Sequence, residues 1–293
     1  MMPPTGNWVC YRTVFSAEAP IHIGWHRLGL IERTRYYIPA RAIWGALIAS
    51  LAPIRFPDAG VPGMYQETTA EFAASVRFTC FFPSAGPNSE VWRPRYDPSA
   101  GLMYGNMPAA DFESRFVFSQ TSATLNPATF SALDGALHES EYLCFTSPNN
   151  APGALHFIGY LIFKDSLAAD LEKGISTVSI GAERNYGWGR LRLRSFQRTT
   201  APLFGEFPLT AGAVQNPSVR NNAEASLPAH LLHQAGKTNL AGDLELVGGR
   251  DWSPRSGSGR DLGELKLCWA PGSQVHANGT AFEIDHLGIW TAQ

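Results

Sequence analysis

Along the chain the hydrophobic positions switch between a period of two and a period of three to four. Trp8 to Phe15, "WVCYRTVF", is β-branched and aromatic with apolar residues on both faces, which predicts a strand. Between Pro39 and Pro53, Ile43, Trp44, Leu47, Ile48 and Leu51 recur at helical spacing. They predict an amphipathic helix opened by the first proline and stopped by the second. Gly45 inside it costs about 1 kcal/mol against alanine, so a close backbone approach is expected there. "SVRFTCFF", Ser75 to Phe82, alternates, with Val76, Phe78, Cys80 and Phe82 on one face and Arg77 and Thr79 on the other. Residues 84–111 are rich in Pro, Gly, Ser and Asn and predict a long loop. "SRFVFS" and "ALHFIGYLIF" predict two more strands, separated by a polar, turn-rich stretch. "SLAADLEKG" predicts a short helix with Ser166 as N-cap and Gly174 just past its end. "ISTVSIG" and "GRLRLRSF" predict strands again.

This β-α-β…β-α-β order with hairpin-like strand spacing predicts an α+β fold, an RRM-like (ferredoxin-like) antiparallel sheet with helices on one face. After Phe196 the texture changes. Residues 200–240 are loop-like, and strands resume at "DLELVGG", "ELKLCWAPGS" and "AFEIDHLGIW". A boundary near Thr200 divides the chain into 1–200, the RRM-like domain, and 201–293, a smaller β-rich domain, a reduced RRM-like unit.

The 293 residues suffice for a sizeable core. Charged residues make up only 16%, so part of the surface is expected to meet partners and solubility alone is expected to be poor. A net charge of −2 excludes a global pull towards nucleic acid. The distribution changes that picture. Residues 181–200 hold five arginines, at 184, 190, 192, 194 and 198, against the single acid Glu183. Of 23 basic residues only four are lysine. Arginine is the better bidentate partner for phosphate and stacks on bases, although a GC-rich genome gives the same bias. Cys10, Cys80, Cys144 and Cys268 show no CxxC spacing and read as reduced core cysteines of a cytosolic protein. "MMPPTGNW" lacks the pattern of a signal peptide, and no apolar run has the roughly 20 residues that span a bilayer, so no membrane partner is expected.

The candidate chemistry lies in "SIGAERNYGWGRLRLRSF", Ser179 to Phe196. A Walker A loop needs a lysine that is absent here. A dinucleotide fingerprint needs a helix after GxGxxG, whereas Gly181, Gly187 and Gly189 lead into a strand. What remains is a hairpin-like connection with a glycine-rich, aromatic tip. Its exit strand puts Arg190, Arg192 and Arg194 on one face and Leu191 and Leu193 on the other. Glycines let successive N–H groups approach a phosphodiester chain, and Tyr186 and Trp188 offer faces for base stacking. An ordinary hairpin with its aromatics folded back on the core shows the same pattern.

"VSIGAERNYGWGRLRL" resembles the glycine-rich loop of the RAMP superfamily of CRISPR-associated proteins. "TRYYIPARAIWGALIASL" is similar to that family's N-terminal signature, a strand ending in Ile-Pro before a helix with an internal glycine. "LDGALHESEYL", Leu133 to Leu143, and "LCWAPGSQV" resemble its intermediate segment and the Pro-Gly-Ser strand start of its two-domain members. Order and length look most like the Cas five-group subunit of type III effector complexes, the III-D kind in particular. The resemblance implies RRM-like folds and a non-catalytic subunit that binds the 5′ handle of a crRNA, needs no cofactor and caps the backbone RAMP subunits. It implies a large polymerase-like subunit as neighbour and target RNA nearby. On this resemblance the RNA-binding set is Gly181, Arg184, Asn185, Tyr186, Gly187, Trp188, Gly189 and Arg190, with Arg35, Arg41 and His26 close to it. The chain departs from the two-domain pattern in having no second glycine-rich loop before "LGIWTAQ".

Two enzymatic alternatives stay open. One is a crRNA-processing endoribonuclease using an early histidine, His26 or His22, as general base. The other is a backbone subunit that cleaves target RNA through an aspartate, with Asp58, Asp97, Asp111 and Asp134 as equal candidates. His230 and His233 in "HLLH" have the spacing of two metal ligands on a helical turn, but with no nearby Cys or third carboxylate the pattern favours a partly buried helix with surface histidines. "GGRDWSPRSGSGR" reads as an RNA-contacting or a solvent loop.

Overall fold

The computed structural model describes residues 6–145, 155–221, 223–236, 239–253, 257–276 and 279–293. In chain order its elements are β1 (Trp8–Ala17), the hairpin of β2 (Gly24–Leu28) and β3 (Ile31–Thr34), α1 (Ala40–Arg55), α2 (Gly60–Ser75), β4 (Val76–Phe78) and β5 (Phe82–Ser84). A small meander follows, β6 (Pro94–Asp97), β7 (Gly101–Tyr104) and β8 (Met107–Pro108), then α3 (Ala109–Phe116), β9 (Val117–Ser122) and β10 (His138–Leu143). β11 (His156–Lys164), α4 (Ala168–Gly174), β12 (Thr177–Ser179) and β13 (Arg190–Thr199) complete the first two-thirds. From 201 to 293 the described residues form short strands and no helix.

The alternation in β1 and β11 explains the main sheet. Its order is β12-β13-β1-β11-β4, with β5 also on β11, and every pairing is antiparallel. Phe15 of β1 and Phe157, Leu161 and Phe163 of β11 face the helices and pack with Ile43, Leu47 and Leu51 of α1 and Phe72 of α2. Trp8, Cys10, Tyr160 and Ile162 face the other way and pack with Leu203, Phe207, Phe282 and Trp290. Both faces of these strands are therefore buried, which is why they read as nearly continuous apolar runs. The second layer covers one end of the sheet and leaves β13 largely uncovered, with Arg190, Arg192 and Arg194 exposed. A second sheet, β2-β3-β10-β9, stands beside the first and joins β3 to β10 in parallel.

The fold is α+β with few helices, and several local expectations give way to packing. Arg77 and Thr79 lie on the sheet face that residues 201–293 cover, so both are buried. Arg77 compensates by donating from Nε to the Ile284 carbonyl, from Nη1 to those of Ala73 and Val76, and from Nη2 to Asn216. "SVRFTCFF" is two strands interrupted by Thr79–Phe81, where Phe81 bridges to Ile38. Pro53 does not stop α1: it falls in the last turn, where its missing N–H removes one bond, and the helix ends at Arg55. Gly45 faces open space, with no atom near the position of a Cβ, so no close approach explains it. Ser166 lies inside a 3-10 turn, Asp165–Leu167, and Leu167 rather than Ser166 precedes α4.

The stretch 84–111 holds the meander β6–β8, and "SRFVFS" is divided between the end of α3 and β9. Helix α2 has no counterpart in the sequence reading, because its apolar positions are sparse; among its residues 63–75 only Thr68, Phe72 and Ser75 are deeply buried. "HLLH" is extended rather than helical, with Leu231 paired to Trp269 and Trp290. Residues 201–293 consist of short strands, and no helix occurs there among the described residues. "GGRDWSPRSGSGR" contains the strand Arg250–Ser253 and the first part of its antiparallel partner Gly257–Leu262, and its residues 254–256 lie outside the described residues.

Candidate functional site

The glycine-rich loop connects β12 to β13, and its sequence dictates its shape. Gly181 and Gly189 have φ of +72° and +81°. A Cβ at Gly181 would collide with the His22 carbonyl oxygen, and one at Gly189 with the Ile180 carbonyl oxygen. Both positions therefore need glycine on conformation and on space. The main chain is tied to the segment after β1, with Ala182 N–H donating to His22 at 3.0 Å and Gly189 N–H to Pro20 at 2.8 Å. Glu183 adopts the left-handed region at φ 57°, at a cost of about 1 kcal/mol or more, and opens a 3-10 turn over Arg184–Tyr186. The turn closes through Tyr186 N–H to Glu183 and Gly187 N–H to Arg184. No hydrogen bond donated by the N–H groups of Glu183, Arg184 or Asn185 occurs among the described residues, and Arg184 and Asn185 at the tip are exposed. Strain held by surrounding bonds is a feature of built ligand loops.

The exit strand behaves as its alternation requires. Leu191 is fully buried and Leu193 packs against the same core. Arg190, Arg192 and Arg194 project from the opposite face and converge on Glu18, Arg190 at 3.1 Å and Arg194 at 3.9 Å, with Arg192 hydrogen-bonded to it. Arg194 Nε also donates to Ser16 Oγ. The Arg192 hydrogen bond, with Arg190 and Arg194 beyond it, holds the Glu18 carboxyl below its usual range. One carboxylate against three guanidiniums leaves a net positive face. Arg184 and Asn185 are exposed and form no side-chain hydrogen bond or ion pair among the described residues. Tyr186 is 81% exposed, whereas Trp188 is half-buried with its ring 5.0 Å from that of Tyr142 on β10. Trp188 thus meets the folded-back expectation in part, but against a second sheet and not the main core.

Three other expected residues do not join the loop. Arg35 pairs with Glu245 at 2.7 Å and donates to Tyr37 Oη. His230 is buried beside them, its Nε2 2.6 Å from Glu245 and 3.1 Å from Tyr37 Oη. A carboxylate only accepts, so neutral His230 carries its proton on Nε2. Burial pushes His230 down, against the Glu245 hydrogen bond that opposes it. Burial works against charge on Glu245, but His230 and Arg35 outweigh it and hold the carboxyl at about 2. This cluster is a seam between the first two-thirds and residues 201–293. Arg41 lies at the start of α1 against the backbone of Gly249, where a Cβ would strike its guanidinium. His26 is exposed on β2, edge-on to Trp25 at 4.2 Å, and Trp25 in turn lies 6.0 Å from the Arg35 guanidinium.

The remaining candidates have structural settings. His22 is buried under the loop with Nδ1 on the Glu141 carbonyl. Asp97 caps a turn by accepting from Ser99 and Ala100 N–H, which lowers its carboxyl pKa. Asp58 and Asp134 are exposed, and Asp111 lies in the first turn of α3. No cluster of three or more His, Cys, Asp or Glu able to hold a metal occurs among the described residues. None of the four cysteines forms a disulfide among the described residues, and burial pushes Cys10, Cys80 and Cys268 up to about 12, which keeps them as inert thiols. No described helix is long and apolar enough to cross a membrane. A cleft of about 570 Å³ opens elsewhere, between Arg93, Arg95 and Tyr160 on one side and Ser226 and Gln274 on the other. Glu90, Glu206 and Glu224 offset its arginines, so the loop, and not this cleft, is the anion-favouring surface.

Glu18, Tyr142 and Phe118 belong to the loop's surroundings, and no sequence pattern marks them. Glu18 reads only as an acid just past a strand; the arginines that meet it are more than 170 residues away in sequence.

No protein-family model matches the sequence, and no curated protein matches it. Solved structures do. The chain is similar to a chain of the type III-B Cmr-beta complex determined by cryo-EM with cognate target RNA and AMPPnP, with a TM-score of 0.59 and 13% identity over 90% of this chain and 85% of that one. A chain of the same complex bound to cognate target RNA gives a TM-score of 0.56 and 12% identity over 90% and 86%. At such identities the likeness establishes a shared fold across nearly the whole length of both chains.

Proposed function

We propose that the chain is a non-catalytic crRNA-binding subunit of a type III CRISPR RNA-guided effector complex. In this reading it holds the 5′ handle of the crRNA, caps the backbone RAMP subunits, and lies beside the large polymerase-like subunit with target RNA nearby. The observation that carries the reading is the glycine loop: N–H groups that donate no hydrogen bond among the described residues and Arg184 at its tip, three arginines sharing one glutamate at its base, and an exposed Tyr186. Such a surface suits the phosphates and bases of a single strand. The shared fold with Cmr-beta chains supports the setting. The main sheet supports an RRM-like reading of 1–200, since β13, β1, β11 and β4 are the fourth, first, third and second strands of a βαββαβ order. In this reading the chain divides near Thr200 into the RRM-like domain 1–200 and the smaller β-rich domain 201–293. Gly181 to Arg190 form the grip, and Arg35 and Arg41 serve the seam with residues 201–293.

The test is RNA binding by Arg184→Ala/Arg190→Ala, titrated at several salt concentrations after co-purification with the products of neighbouring genes. Removing one arginine–phosphate pairing lowers the magnitude of the log–log salt slope by about 0.7 for a single strand. The double variant is therefore expected to bind guide RNA more weakly, with a slope flatter by about 1.4. Wild-type affinity and slope would remove the loop as the grip.

A further inference from the structure

Beside the glycine loop, the β2-β3-β10-β9 sheet presents aromatic rings in series. Trp188 at the end of the loop meets Tyr142 of β10 at 5.0 Å, and Tyr142 meets Phe118 of β9 at 6.3 Å with ring planes 28° apart. Tyr142 and Phe118 are directly paired across the two strands, so their side chains share one face. Register places Gln120 and His138 on that same face, two and four residues further along. Phe118 is 37% exposed, Gln120 is exposed, and Trp188, Tyr142 and His138 are half-buried. Neither β9 nor this face of β10 carries an acid; the first one met, Glu32 on β3, is paired across from Arg27. Phe118 is an exposed ring on the edge strand β9, shielded from water only if something covers it, and the half-buried Tyr142 and Trp188 continue the row towards the loop. Its neighbour on the loop side is the Arg190, Arg192 and Arg194 face with its single Glu18.

We propose that this face is a base-stacking platform for single-stranded RNA leaving the glycine loop, with Trp188, Tyr142 and Phe118 as successive supports and Gln120 and His138 placed to meet base edges. The proposal rests on the reading of the loop as an RNA grip. The arginines favour a polyanion at one end, and the uncharged aromatic row suits what such a strand carries between its phosphates. Every base has a π-face, so the platform is tolerant of sequence. Charge is needed at the loop, and ring area along the sheet.

The experiment titrates the full chain, co-purified as above and stripped of bound RNA, with a fluorescein-labelled oligouridylate and with the same sugar-phosphate chain lacking bases. Wild type is expected to prefer the oligouridylate by about 10-fold or more. Phe118→Ala/Tyr142→Ala is expected to lose most of that preference while keeping the salt slope. Phe118→Leu, which keeps apolar bulk on an edge strand but has no ring, guards against a folding defect and is expected to lose part of it. Arg184→Ala/Arg190→Ala is expected to weaken both ligands equally and keep the preference. If both ring variants keep the full wild-type preference while the arginine variant weakens binding, the platform is wrong and the grip stands. If the arginine variant also binds as wild type, the RNA reading itself falls.

Discussion

Arg35 and Arg190 each meet a glutamate, at 2.7 and 3.1 Å, in very different surroundings. Arg35 and Glu245 keep only 14% and 15% of their side-chain exposure, and Tyr37 and His230 close around them. Each charge there has its own partner, and the cluster ties a segment before α1 to strands more than 190 residues later. At the loop, one Glu18 serves three arginines that remain about half exposed, at 55%, 46% and 48%. The first arrangement is closed and electrically balanced, so its worth lies in holding two layers together. The second has positive charge left over and water in contact with it, so it contributes little to stability and can exchange that water for phosphate. Arginine content alone does not separate the two roles; the ratio of partners and the burial do.

The sharpest way to break the comparison is at Glu245. Glu245→Ala leaves Arg35 buried without its acid and takes the acceptor from His230, so a loss of about 3–5 kcal/mol in unfolding free energy is expected from urea denaturation. A loss below about 1 kcal/mol would make the seam no different from the loop.

Acid should act on the same pair. The Glu245 carboxyl lies at about 2 in the fold against an ordinary 4.5. A depressed carboxyl adds stability that is complete above pH about 4.5 and disappears as pH falls towards about 2. Urea midpoints measured across that window are expected to fall with pH in the wild type. Glu245→Gln is expected to lack that component.

Gly189→Ala probes the loop's backbone. With positive φ and a carbonyl in the way, it is expected to cost more than about 1–2 kcal/mol locally, seen as faster amide exchange at Ile180 and Ala182 and weaker RNA binding. The smallest effect on stability is expected at the arginines: Arg184→Ala/Arg190→Ala should shift unfolding by no more than about 0.5 kcal/mol while it weakens RNA binding. A large stability loss there would mean the exposed cluster is structural after all.

Legibility followed range along the chain. β1, β11, β13 and α1 were readable because apolar period and β-branched or aromatic content act within a few residues. Pro53 and Gly45 misled because the loss of one hydrogen bond in the last turn does not end α1 early, and the entropic cost of Gly45 is not accompanied by the close approach it suggested. The "HLLH" pattern fits a helical turn, yet strand pairing to Trp269 and Trp290 overrides it. Within the candidate site, the glycine positions and the Leu-in, Arg-out alternation were legible, and the ring partners and Arg35's destination were not.

The sequence by itself determined that the segment from Gly181 to Arg194 would turn tightly, bury its leucines and expose its arginines, because glycine's freedom and the two-residue period of a strand are local properties. Only the tertiary structure decided which arginines stay available. It gave Arg35 to Glu245, set Arg41 against Gly249, brought Glu18 to three guanidiniums at once and placed Tyr142 under Trp188. Those partners come from segments far apart in the chain, and their meeting is fixed by how the two sheets and the C-terminal layer pack, which no local pattern encodes.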